Sequence, residues 1–539
     1  MKINRTKLLA LVLALAILLS GCSIGEMVGE LSQFLGSSDL VPFDSMEYQH
    51  PDLVAIRTSL DTAISLAEDP DKTTDAVVDA IYSFYDEYDW FYTCSALADI
   101  HYSIDLTDIY WEKEYTYCQD QTAAVDAMLE ELYYALAASP HRKALEAEEY
   151  FGPGYFESYD GDNMWDETFV SLLEAESELQ NRYYELSSQA LEHLPGTEEY
   201  YDAVAEDMAA LLVELIALRQ EIAGYWGYTD YVAFANDFYY YRDFTSSDMA
   251  DYLSRIREEL VPVYMQIREE DWDAAYRISS ETETLRYVRT AATNMGGLVE
   301  EAFTVMEEGG LYDIGYGENK YNASFEIYLT SYWVPFIFMN PSLSRYDWLT
   351  FAHEFGHFCN DYASYGSYAG TDVLEVFSQG MEYLSLFYGE REEDLIRLKM
   401  ADSLSVYVEQ SAYAAFEQQM YALTGDELTT DSLYDLYDRI AREYGFPSVG
   451  YDPREFVTVP HFYTNPMYVI SYVVSNDAAL QLYQLEKDTP GAGLQCFEEN
   501  LDTQEAYFLA FLESAGLESP FDQGRLERVK ATFEVFFGE

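Results

Sequence analysis

Basic residues are scarce in this 539-residue chain: 29 Lys and Arg stand against 98 Asp and Glu, a formal net charge of −69. Such a field repels phosphate backbones, which argues against nucleic-acid binding. It also disfavours anionic substrates and anionic membrane surfaces, and it favours solubility. Cysteine and histidine are few, five and seven residues. Beyond the first twenty residues no apolar run is long enough to cross a bilayer as a helix. No internal repeat and no long low-complexity linker interrupts the chain after residue 45, which favours one large domain. What is present fits a folded protein. Hydrophobic residues make up 49% and aromatic residues 16%, with 51 Tyr, so wholesale disorder is excluded. A chain this long buries enough surface to fold without disulfides or metal.

The first residues read as an address. Lys2, Arg5 and Lys7 precede an apolar run from Leu8 to Leu19, and Leu19-Ser20-Gly21-Cys22 follows. This order matches a secretory leader, and small residues before a Cys resemble a bacterial lipobox. The resemblance implies cleavage after residue 21 and lipidation of Cys22, hence a protein tethered to the outer face of the cytoplasmic membrane only by lipid. Residues 22–45 form the tether, rich in Ser and Gly. Cys94, Cys118, Cys359 and Cys496 remain. An exported chain admits disulfides, and four cysteines allow three full pairings. Cys94 and Cys118 are nearest in sequence; buried free thiols are an equally good reading.

From about residue 50 the pattern is helical. Residues 163–194, 197–225, 246–269, 282–308, 391–423 and 502–515 repeat apolar residues at three- and four-residue spacing between acidic faces. Residues 309–340 depart from it. Gly309, Gly310, Gly315 and Gly317 punctuate the segment, and the runs Phe325–Leu329 and Val334–Met339 follow. This predicts a small sheet, with Pro335 suited to an edge strand or a strand start.

The next helix, expected to begin near Ser344 with Asp347 three residues on, carries His353-Glu354-Phe355-Gly356-His357. Positions i and i+4 share one helix face, so both imidazoles face one metal ion while Glu354 sits one step round. Eighteen residues past His357, Glu375 lies on another expected helix. Two His and a carboxylate hold zinc with a fourth position free. Glu382 is two turns further along the same face, and Asp361 is one turn past His357. Either suits the outer N–H of a ligating His; both also read as surface carboxylates. A third cluster runs from Pro460-His461-Phe462-Tyr463 to Tyr468 and Tyr472. Imidazole and phenol groups there are suitable donors to a developing oxyanion.

Together these clusters resemble the oligoendopeptidase F and thimet oligopeptidase family of zinc metallopeptidases. HEFGH followed by a helix bearing Glu375, Ser378, Gln379 and Glu382 is that family's pattern, and PHFYTNPMYVISYVVS is similar to its His-and-Tyr substrate-binding segment. VPFIFMN resembles its strand that pairs with the peptide backbone. The resemblance spans residues 310–480. It implies a mainly α, two-lobed metallopeptidase fold around a deep channel, with the small sheet beside the HExxH helix. A cover lobe would span about 46–240 and a catalytic lobe about 241–539. It implies a monomer holding one zinc ion on His353, His357 and Glu375. Glu354 would be the base, and His461, Tyr468 and Tyr472 would stabilise the oxyanion. Phe336, Ile337, Phe338, Met339 and Tyr463 would bind substrate, a short unfolded oligopeptide. Two readings compete. One is a metallocarboxypeptidase or dipeptidyl carboxypeptidase, which needs a basic pocket for the terminal carboxylate. The other is a non-catalytic peptide-binding lipoprotein, which has no use for Glu354.

Overall fold

The computed structural model describes residues 40–538 apart from 148–149, 162–164, 190–192, 194–195, 367–368, 391 and 447–449. The leader, Cys22 and the tether before Leu40 lie outside the described residues. The described chain is mainly helical with a three-stranded sheet. It divides into two compact units. The first holds the described residues up to Glu174, with Glu308–Leu311 and Tyr328–Val334; the second holds the rest. Residues 175–240, grouped by sequence with the N-terminal part, cluster with the second unit.

Three long helices build the first unit: α1 (Leu53–Glu68), α2 (Thr74–Ile104) and α3 (Ile109–Ala137). Asp52, Thr73 and Asp108 each accept a bond from the first turn, which satisfies donors that a helix start leaves free. Ile56, Leu60, Ala63 and Ala67 recur along one stripe of α1. They join Ile81, Phe84 and Phe91 of α2 and Val125, Leu132 and Leu136 of α3 in a single apolar core. Each large side chain buried there contributes roughly 1.5–3 kcal/mol, so this seam accounts for the cohesion of the unit. Cys94 of α2, Cys118 of α3 and Cys359 are buried free thiols, and Cys496 is a half-buried one.

The second unit contains α4 (Glu198–Tyr225), most of the sheet and the helices around it. The expected helix over 282–308 is two helices, Glu281–Met295 and Gly297–Gly309. Gly296 breaks it at φ +73°, a conformation that costs glycine little. The segment 391–423 forms α7 (Glu393–Ser405) and then passes through a π-turn into Ser411–Met420. The expected helix over 502–515 starts only at Phe508.

The sheet comprises β1 (Tyr312–Asp313), β2 (Ser324–Leu329) and β3 (Val334–Met339), in the order β1-β3-β2. β1 runs parallel to β3, with Tyr312 opposite Ile337 and Asp313 opposite Phe338. β3 is therefore central, and all six of its residues are buried. Pro335 stands at its start, where a missing N–H is tolerated. The Lys320 ammonium joins the ends of β1 and β3, reaching Asp313 Oδ1 at 2.6 Å and the Met339 carbonyl at 3.0 Å. Among the described residues no helix is long and apolar enough to cross a membrane.

Candidate metal centre and active site

α5 (Tyr346–Ser364) carries the two histidines. It begins two residues after Ser344. Asp347 folds back to accept the Ser342 and Ser344 backbone N–H groups at 2.9 and 3.1 Å. The ring centroids of His353 and His357 lie 5.1 Å apart, one turn along one face. α6 (Thr371–Tyr388) lies close against α5. Gly356 makes the approach: a β-carbon there would stand 2.4 Å from the Phe377 carbonyl oxygen and 2.6 Å from Ser378 Cα. Any larger residue at position 356 would push the helix of the third carboxylate away.

Glu375 on α6 completes the set. Its Oε2 lies 3.5 Å from His353 Nε2 and its Oε1 3.8 Å from His357 Nε2. One donor atom from each of the three residues falls within 4.8 Å of the others. Two imidazoles and one carboxylate in that space fit a zinc ion by donor type and number. The surrounding bonds aim these donors. His353 Nδ1 faces Glu382 Oε1 at 2.9 Å, leaving Nε2 toward Glu375. Glu375 Oε2 accepts from the Ser378 hydroxyl at 2.9 Å, and its Oε1 accepts from the Tyr468 hydroxyl at 2.6 Å. Gln379 ties α6 to α8 (Val469–Asp488) by donating to Ser475 Oγ at 2.8 Å.

Glu382 is itself held by a residue that sequence reasoning missed. The buried Lys399 of α7 donates to Glu382 Oε2 at 2.7 Å and to Asp402 Oδ2 at 3.1 Å, and Asp402 accepts from the Tyr346 hydroxyl at 2.6 Å. Lys399 lies seventeen residues past Glu382, and no helical spacing links them. Its only signal was a lysine set in the apolar pattern of a very acidic chain.

Electrostatics separate these groups. Burial pulls His353 down, but the hydrogen bond and charge of Glu382 and the charge of Glu375 outweigh it and push the imidazole up to about 9. Burial pulls His357 down to about 4. Burial raises Glu354 to about 7 against the pull of His353 and a hydrogen bond from Ser324 of β2. Glu375 resists burial and stays below its ordinary value, held there by His357, His353, Tyr468 and Ser378. Two carboxyls on neighbouring elements are thus suited to different chemistry, because Glu375 remains an anion while Glu354 is poised to exchange a proton.

The third cluster splits. His461 and Tyr472 are half-buried, with the Tyr472 hydroxyl 3.3 Å from His461 Nε2. Tyr468 packs against both rings, but its hydroxyl is spent on Glu375. Tyr463 is fully buried, stacked on Tyr183 at 4.4 Å, so it is core and not a substrate contact. Phe336, Ile337, Phe338 and Met339 are also withdrawn from substrate. They fill the central strand, and β2 is the edge that flanks Glu354. Asp361 shares a hydrogen bond with Glu326 of β2, whose carboxyl burial and the charges of Asp361 and Glu354 push well up.

Residues 43–163 match the Peptidase M3 N-terminal domain family. The structure of Pz peptidase A with an inhibitor is 18% identical, with a TM-score of 0.78, 92% of this chain and 99% of that chain covered. A structure assigned as an oligoendopeptidase F from Bacillus anthracis is 21% identical, with a TM-score of 0.76, 93% and 98% covered. This chain has their fold. An M32 carboxypeptidase from Deinococcus radiodurans is more distant, at 12% identity and a TM-score of 0.52, with 90% and 99% covered. No match is found among curated protein sequences.

Proposed function

We propose that the chain is a zinc-dependent endopeptidase that hydrolyses peptide bonds in short unfolded oligopeptides at the cell surface. The observation that carries this reading is the convergence of His353, His357 and Glu375 within 4.8 Å beside a buried carboxyl raised to about 7. When bound, zinc supplies Lewis acidity toward the scissile carbonyl and the attacking water. Glu354 accepts the proton of that water and passes it to the leaving amine, a role that suits a group titrating near neutral pH. His461 and Tyr472 donate to the carbonyl oxygen as it gains charge, and Tyr468 holds Glu375. Substrate backbone pairs with the free edge of β2 near Ser324–Ile327, which gives affinity with little sequence preference. In this reading the leader and Cys22 anchor the enzyme to the outer face of the cytoplasmic membrane.

The test uses the soluble chain with zinc and peptides blocked at both ends. One zinc per chain and internal cleavage of blocked peptides are expected. Cleavage confined to peptides with a free C-terminus would favour the carboxypeptidase reading, and zinc binding without any cleavage the non-catalytic one. Glu354→Gln should retain zinc and lose roughly 10²–10⁴ in kcat, because the amide has the shape of the base without its proton affinity.

A further inference from the structure

The segment that carries His461 and Tyr468 makes several of its backbone bonds to side chains remote in sequence. Arg219 of α4, with no exposed surface, donates to the Phe462 carbonyl at 2.7 Å and also to the Tyr463 carbonyl. Tyr240 donates to the Pro466 carbonyl at 2.8 Å. Met467 turns through φ +66°, a strained value for a residue with a β-carbon. Buried groups hold it on both sides: its N–H goes to Glu417 Oε1 at 2.7 Å and its carbonyl to Arg242 at 2.9 Å.

Arg242 does more than satisfy that carbonyl. Its side chain is 0% exposed. Nε and one terminal nitrogen fork onto the two oxygens of Asp372 at 3.0 and 3.2 Å. The same terminal nitrogen reaches Ser471 Oγ at 3.0 Å, and the other donates to Asn236 Oδ1 at 2.9 Å. The Tyr240 ring covers the guanidinium at 4.2 Å. Asp372 opens α6 three residues before Glu375, and Met467 and Ser471 flank Tyr468. One rigid cation thus spans the helix of the third metal-binding carboxylate and the turn bearing the phenol that hydrogen-bonds it. Burying a charge this deeply is a poor route to stability, since an apolar side chain of similar volume would avoid the desolvation cost. An apolar residue would not fix the spacing between the two elements.

We propose that Arg242 is a positioning residue that seats the Tyr468 hydroxyl on Glu375 by tying the start of α6 to the turn before α8. It rests on the peptidase reading for its consequence in catalysis. The test compares Arg242→Lys, Tyr468→Phe and the double variant. Lysine keeps the charge beside Asp372 and cannot fork. Each single variant should bind one zinc, lose roughly 10–100-fold in kcat as outer partners of a metal ligand do, and move KM by less than about threefold, and the double variant should be no worse than Tyr468→Phe. With cobalt in place of zinc, both single variants should show the same displaced visible spectrum. Wild-type kcat and spectrum in Arg242→Lys, or losses that multiply in the double variant, would overturn the proposal. A lowered melting temperature with an unmoved spectrum would do so as well, by assigning Arg242 a structural role alone. Should Arg242→Lys not fold, Asp372→Asn replaces it, with a displaced cobalt spectrum supporting the proposal and an unmoved one overturning it. If wild-type enzyme cleaves no peptide, the peptidase reading fails while the cobalt spectra still decide the positioning claim.

Discussion

The two halves of the site are held in place by different means. His353, Glu354, His357 and Glu375 sit on two adjacent helices, and much of what fixes them is near in sequence: Gly356 inside the motif, Ser378 one turn past Glu375, and Glu382 two turns past it. The segment from His461 to Tyr472 is framed largely from afar. Arg219, Tyr240, Arg242 and Glu417 hold its backbone from 50 to 244 residues away in the chain. Donor atoms of a metal site follow from helical period and close approach, whereas the phenols are placed by tertiary packing. Damage to the second half should therefore appear in turnover with the metal nearly retained, and damage to His353, His357, Glu375 or the groups that aim them in metal affinity.

The sharpest break in that comparison lies between two tyrosines one turn apart. Tyr472 faces His461, and Tyr468 faces Glu375. Tyr472→Phe removes a donor to the developing oxyanion and should cost about 10²–10³ in kcat with zinc affinity unchanged. Tyr468→Phe should cost less, about 10–100-fold, and should weaken zinc binding slightly. Steady-state kinetics with a zinc titration checks both. The reverse order would exchange their roles.

Lys399 tests the metal half. Lys399→Met leaves the buried Glu382 and the half-buried Asp402 without their shared cation. Removing one partner of such a pair costs about 3–5 kcal/mol of stability, and the loosened Glu382 should lower zinc affinity about 10–100-fold. Competition with a chelator measures the affinity. An unchanged value would show that Glu382 holds His353 without Lys399.

The metal half was legible because its signals are short-range. Two His at i and i+4, a carboxylate on a second amphipathic helix, and glycine punctuation before a sheet all survive translation into structure. Strand order was not legible. β1 is two residues long, too short for a period-2 pattern, yet its pairing with Ile337 and Phe338 makes β3 central. The fate of Tyr463 was equally hidden, since nothing in a Tyr-rich sequence separates a stacked core phenol from a substrate contact. Lys399 and Arg242 escaped because a buried cation is recognised by its partners, and Asp372 lies 130 residues from Arg242. The periodicity over 282–308 gave no sign of the break at Gly296, whose positive φ ends the helix.

Charge state also separates the two halves. Glu382 and Glu417 are both buried carboxyls, but Glu382 has Lys399 and stays below its ordinary value. Glu417 has no cation of its own: Arg219 is paired with Glu176 and Arg242 with Asp372. Burial therefore pushes Glu417 from 4.5 to about 8, against the weaker pull of the Met467 N–H and of the Arg242 and Arg219 charges. The folded chain binds this proton more tightly than the unfolded chain does. The resulting stability is complete below the unfolded value and is lost as pH rises through about 8. Glu417→Gln keeps an oxygen acceptor for the Met467 N–H and does not titrate. Relative to wild type it should gain stability steadily between pH 4.5 and 8, by at most about 1.4 kcal/mol per pH unit, and level off above. Thermal midpoints of both proteins at pH 5, 6.5, 8 and 9 would trace the difference. A flat difference across that range would mean that Glu417 is ionised in the fold, with one of the two arginines as its true partner.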